Sequence, residues 1–111
     1  MPNFTRVADV FAAMPVNFQP EKADGLAALV AFDLHGDDAG RYWVHIEGGT
    51  CRTGAGDPPR AADATIRASG NDWLRITNGQ LNPVLAGVMG KIKVEGEMGL
   101  ALKLAGAFPR D

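Results

Sequence analysis

The sequence predicts an α/β protein of the α+β kind, built as one helix, four strands, two short helices, a fifth strand and a last helix. Three observations predict it. Apolar residues recur with a two-residue period in several separate stretches and with a helical period at both ends of the chain, and the connections between residues 34 and 54 are too short for parallel crossovers. A length of 111 residues suits one domain over 1–111, with a single core and no room for a second.

Phe4, Val7, Ala8, Phe11 and Met14 fall at helical spacing ahead of Pro15, which predicts a helix over about residues 4–13. Past a linker with Pro20, Lys22 and Gly25, residues 26–34 are almost uninterruptedly apolar, the composition of a central strand buried on both faces. Tyr42, Val44 and Ile46 then alternate with Trp43, His45 and Glu47, and Gly48-Gly49 turns the chain into a third strand over 50–54, completing an antiparallel meander. The loop 55–62, with Gly56, Pro58 and Pro59, is the most irregular stretch and leads to a fourth strand over 64–68. Ser69-Gly70-Asn71-Asp72 supplies N-cap residues for a short helix carrying Trp73, Leu74 and Ile76 and ending at Gly79. Asn82-Pro83 repeats that grammar, with Asn as cap and Pro at the first helical position, for a second short helix reaching Met89-Gly90. Residues 91–95 alternate sharply as a fifth strand, whose outward lysines suit an exposed edge.

On a wheel at about 100° per residue, the last helix, 97–108, gathers Gly99, Lys103 and Gly106 in one narrow sector, and its apolar residues sweep roughly 220°. One sheet face cannot cover that arc. Another helix, a second subunit, or a ligand held between helix and sheet would each do so. Met89 and Met98 lean toward a ligand, because an unbranched thioether adapts to variable contents, although methionine also fills ordinary core gaps.

Composition excludes several functions. With 46% hydrophobic and 22% charged residues and a formal charge of −2, the chain offers no field to gather nucleic acid. Its longest uncharged stretch contains Asn78, Gln80, Asn82 and Pro83 and does not read as a membrane span. The first residues lack the pattern of a secretory signal, so a cytoplasmic location is expected, in keeping with a single cysteine, Cys51, read as a small buried residue. Ser69, the one serine, is accounted for as a cap, and His35 and His45 lie in a turn and on a polar strand face, so no nucleophile–base pair emerges. His45 and Cys51 flank one hairpin, but two ligands fall short of a metal site. No phosphate-binding glycine motif occurs among the 14 glycines. The expectation is a non-enzyme without metal or cofactor; a cofactor-free isomerase using Asp72 or Glu97 is the remote exception, since both read more simply as first-turn carboxylates.

Several blocks together resemble the sterol carrier protein type two family: Met14-Pro15, Phe18-Gln19-Pro20-Glu21-Lys22-Ala23, Ala62-Asp63-Ala64-Thr65-Ile66, Gly79-Gln80-Leu81-Asn82-Pro83, and the long run from Gly90-Lys91-Ile92-Lys93-Val94-Glu95-Gly96 to Leu104. The resemblance covers nearly the whole chain. It implies a five-stranded mixed sheet with helices on one face and a hydrophobic tunnel between them that takes fatty acids, acyl thioesters, sterols or similar lipids. Carried onto this sequence, the lining would comprise Trp73 and Ile76, then Leu81, Leu85, Val88 and Met89, then Met98, Leu102 and Phe108 as a roof. The chain ends Phe108-Pro109-Arg110-Asp111, without a peroxisomal tripeptide, which points to a free-standing bacterial-type member. The implied function is binding and intracellular transfer of a hydrophobic small molecule by a monomer or homodimer with transient membrane contact. The alternative is a dimerisation or interaction module, or an accessory protein presenting lipid-like substrates to an enzyme.

Overall fold

The computed structural model describes residues 4–23, 25–36, 38–97 and 99–100. Its elements are α1 (Val7–Asn17), a 3-10 turn (Pro20–Ala23), β1 (Ala28–His35), β2 (Gly40–Glu47), β3 (Thr50–Ala55), β4 (Ala64–Ser69), α2 (Gly70–Thr77), α3 (Pro83–Val88) and β5 (Ile92–Gly96). The five strands form one mixed sheet in the order β3-β2-β1-β4-β5. The expected meander is present: β1 pairs antiparallel with β2, and β2 with β3, across a two-residue turn at Gly48 and Gly49, whose φ angles of 60° and 76° only glycine adopts freely. The chain then crosses to the other side of β1, where β4 pairs parallel, and β5 closes the sheet antiparallel to β4. β1 is thereby central, and β5, with Lys93 exposed, is an edge. Of the last predicted helix, residues 98 and 101–108 lie outside the described residues.

The first helix departs from expectation at both ends. It begins at Val7, not near residue 4, because Asn78 holds the Phe4 backbone outside it: the Phe4 amide donates to Asn78 Oδ1 at 2.8 Å, and Asn78 Nδ2 donates to the Phe4 carbonyl at 2.9 Å. Arg6, the N-cap residue, makes no side-chain cap bond; the Val7 amide instead donates to the carboxylate of Asp38, a residue in the left-handed region (φ 57°) of the β1–β2 turn. The helix also continues past Pro15 to Asn17. Proline at 15 leaves the Phe11 carbonyl without its i+4 donor, and Thr53 of β3 supplies one, its hydroxyl donating to that carbonyl at 2.8 Å.

The core lies between one sheet face and the helices. Ala28, Val30, Phe32 and Leu34 of β1, Val44 and Ile46 of β2, Cys51 of β3, and Ala64, Ile66 and Ala68 of β4 share that face through the pairing register and are all buried. The opposite face is polar. Arg67 bridges Asp33 at 2.6 Å and Glu95 at 3.2 Å across three strands, and the Trp43 ring lies so close over Gly54 that a Cβ there would sit 2.5 Å from it. On this side of β1 only Leu29 is fully buried, so the strand predicted to be buried on both faces is so only near its start.

Candidate ligand-binding site

The apolar face is roofed unevenly. α1 lays Val7, Val10, Phe11 and Met14 onto it, all buried. The Phe11 ring stacks on Tyr42 at 4.4 Å with an interplanar angle of 5° and meets Phe32 edge-on at 5.0 Å and 66°. α2 follows β4 with no loop: Ser69 is both the last strand residue and the helix cap, its hydroxyl accepting from the Asp72 amide at 3.0 Å. This abrupt turn puts Trp73 over the central strand, 4.8 Å from Phe32 and 6.3 Å from Phe11, and buries Ile76. The indole Nε1 of Trp73 is buried with no hydrogen-bond partner among the described residues.

Toward β5 the cover thins. Trp73, Leu74, Ile92, Val94 and Leu100 all pack against the core yet remain only half-buried. Where β5 ends, Gly96 (φ 90°) passes so near the Asp63 carbonyl that no side chain fits, and the Glu97 amide donates to that carbonyl at 3.2 Å. Beyond it, Leu100 packs against the core, its amide donating to the Glu97 carbonyl at 3.1 Å.

Of the sequence-predicted lining, Trp73 packs on this face, Ile76 is buried within α2 and Leu81 is half-buried. α3 is capped as expected, Asn82 Oδ1 accepting from the Val84 amide at 2.8 Å and the Leu85 amide at 3.4 Å. Its packing inverts the usual pattern: Ala86 is fully buried, whereas Val84, Leu85, Val88 and Met89 are 61%, 56%, 80% and 62% exposed. Met98, Leu102 and Phe108 lie outside the described residues. Phe11, Phe32, Leu74, Ile92 and Val94, which also pack on this face, were not among the predicted lining. For β5 the signal was there, because its two-residue alternation already turns Ile92 and Val94 inward.

The polar chemistry lies elsewhere. A hollow of about 210 Å³ on the opposite sheet face is lined by Asp33, Arg41, Thr65 and Arg67 with Pro58, and is smaller than the roughly 300–1,000 Å³ of ordinary ligand pockets. Asp63 is held below the usual carboxylate range, first by the Leu29 amide donating to it at 2.9 Å and then by Arg60. Burial pushes the Cys51 thiol up to about 11, leaving little thiolate at neutral pH. Cys51 pairs with Ile46 and His45 with Arg52, so strand alternation sends the histidine and cysteine to opposite faces. No cluster of three or more His, Cys, Asp or Glu able to hold a metal occurs among the described residues.

A mixed sheet with helices packed on its apolar face defines an α+β fold. Residues 13–109 match the SCP-2 sterol transfer family, and the chain belongs to that family of lipid-binding and lipid-transfer domains. A hydroxysteroid dehydrogenase-like protein 2 from Danio rerio is 32% identical across 93% of this chain and 27% of its own length. The chain spans about a fifth to a quarter of the length of the curated relatives it matches. Among solved structures, the sterol carrier protein domain 2 of Helicoverpa armigera superposes with a TM-score of 0.67 at 26% identity, over 88% of this chain and 78% of that one. Palmitated SCP2L2 from Aedes aegypti gives 0.72 at 20% identity, over 89% and 87%, a likeness of fold.

Proposed function

We propose that this chain binds and transfers single-chain lipids, such as a fatty acid or acyl thioester, at the half-covered end of its apolar sheet face. The observation that carries this is the set of half-buried apolar side chains of α2, β5 and Leu100 packed on a fully buried core. Burying about fifteen methylenes at roughly 0.8 kcal/mol each gives on the order of 12 kcal/mol, against association costs of several kcal/mol. Micromolar binding then needs no ionic anchor. Met98, Leu102 and Phe108 belong to the same proposed site, where the far wall would come from the last apolar segment. Specificity should be loose, since an apolar wall discriminates one methylene by only about 1–3 kcal/mol.

Native mass spectrometry of the purified protein should find co-purified lipid. Trp43→Phe leaves Trp73 as the sole tryptophan, on the site's own wall, and its emission should respond to added fatty acid. In that background Val94→Trp, which fills the wall, is expected to weaken binding of a fluorescent fatty acid about ten-fold, the equivalent of about 1.4 kcal/mol. Unaltered uptake by a folded Val94→Trp protein would refute the placement. A second reading, a module that presents lipid-like substrates to an enzyme, is favoured by one fact: the matched relatives carry the equivalent segment within chains roughly four times longer.

A further inference from the structure

α3 is built inside out. A six-residue helix turns its alanine inward and sets Val84, Leu85 and Val88, with Met89 at its C-cap, toward solvent. These four are all but one of the large apolar side chains exposed among the described residues; the other, Val16, stands apart in sequence on α1, and single exposed apolar residues are ordinary. A contiguous group is not. Two basic residues flank α3 along the chain, Arg75 before it and Lys91 after it. No carboxylate occurs in the sequence between Asp72 and Glu95, a stretch that contains Arg75, Lys91 and Lys93. Asp72 does lie near two of these cations, 3.9 Å from Arg75 and 4.0 Å from Lys91, but its side chain is only 15% exposed against 42% and 36% for theirs. Of these three side chains the two cations are the more exposed; Glu95 and Glu97, on and just past β5, are exposed as well. Lys91 is fastened to α3 itself, its amide donating to the Ala86 carbonyl at 2.8 Å.

We infer that α3 docks this protein on an anionic phospholipid surface, with Val84, Leu85, Val88 and Met89 entering the acyl boundary and Lys91 and Arg75 meeting the headgroups. Apolar side chains flanked by basic ones suit an interfacial helix, and a single turn and a half gives the weak, reversible binding that suits an exchange step. No helix among the described residues is long and apolar enough to cross a membrane, so docking here means lying on the surface. α3 also packs against β5, whose Ile92 and Val94 line the open end of the apolar face, so docking would bring that end to the bilayer. The inference rests on the carrier reading for its purpose but is tested separately from it.

The test is co-flotation of the whole chain with vesicles of phosphatidylcholine alone or mixed in equal parts with phosphatidylglycerol. Binding is expected to the mixed vesicles, weaker to the neutral ones and reduced by salt. Val84→Asp with Val88→Asp should lower it at least about ten-fold, and Lys91→Glu several-fold, since one basic side chain near an anionic surface is worth roughly five-fold, about 1 kcal/mol. Hydrogen exchange on the unmodified chain gives a second measure: mixed vesicles should protect the amides of 83–91 and leave β2 and β3 unchanged. Vesicle binding that ignores both substitutions, or protection elsewhere than 83–91, overturns the proposal. So does concentration-dependent self-association that the aspartates abolish without any vesicle binding, which would make a second copy the occupant. A protein that takes up fatty acid from solution yet binds no vesicles refutes the docking and spares the carrier reading; one that binds vesicles through α3 but takes up no lipid does the reverse.

Discussion

Asp63 ties three segments together. Its carboxylate accepts from the Leu29 amide, its own amide donates to the Leu29 carbonyl at 2.8 Å, and its carbonyl receives the Glu97 amide as the chain leaves β5. Leu29 is fully buried, so removing the carboxylate leaves an amide with neither water nor partner. Asp63→Ala is expected to cost about 1–3 kcal/mol in denaturant unfolding, whereas Asp63→Asn, which keeps an acceptor oxygen, should cost less. The carboxyl is held below its ordinary value, so its contribution is fully present above the unfolded-state value near about 3.9 and is lost as pH falls through the folded one. The stability gap between parent and Asp63→Ala should therefore be constant from neutral pH down to mild acid and narrow, toward that of Asp63→Asn, only in strong acid. A gap that closes near neutrality would show that another group is responsible.

At the scale of elements, distance along the chain decides what the sequence reveals. α2 and α3 were legible to within a residue or two because Ser69 and Asn82 cap amides two or three positions onward. α1 was misplaced at both ends because its partners, Asp38, Asn78 and Thr53, are 31, 74 and 42 residues distant. Pro15 reads as a helix stop until β3 is beside it. This makes a coupling that can be measured. Thr53→Val should cost about 1 kcal/mol by stranding the Phe11 carbonyl. In a Pro15→Ala background, the restored amide at 15 offers that carbonyl a donor, and the same substitution should cost at least a few tenths of a kcal/mol less. Because the cycle cancels the effect of Pro15→Ala on the unfolded chain, additive costs would mean that the Thr53 bond does not replace the missing helical one.

For the whole molecule, the sheet separates two kinds of surface. The strand periods disclosed both faces, and of the residues that the family resemblance implied as lining, Trp73 packs on the apolar face and Ile76 is buried. The outward aspect of α3 was not recognisable, since Val, Leu and Met at helical spacing read the same whether they face a core or a bilayer. The separation also predicts which substitutions affect binding. Gly54 sits under the Trp43 ring on the polar face, away from the apolar wall, and Gly54→Ala drives a Cβ to within 2.5 Å of that ring. Displacing a packed indole should cost about 1–3 kcal/mol of stability. Fatty-acid affinity, read at temperatures where the variant stays folded, should nevertheless remain within about two-fold of the parent, because mutations without shared partners act independently. Val94→Trp should show the opposite balance, a small change in stability and a large loss of uptake. Parallel losses of stability and affinity in Gly54→Ala would mean that the sheet transmits strain between its faces and that the ligand wall is set by both.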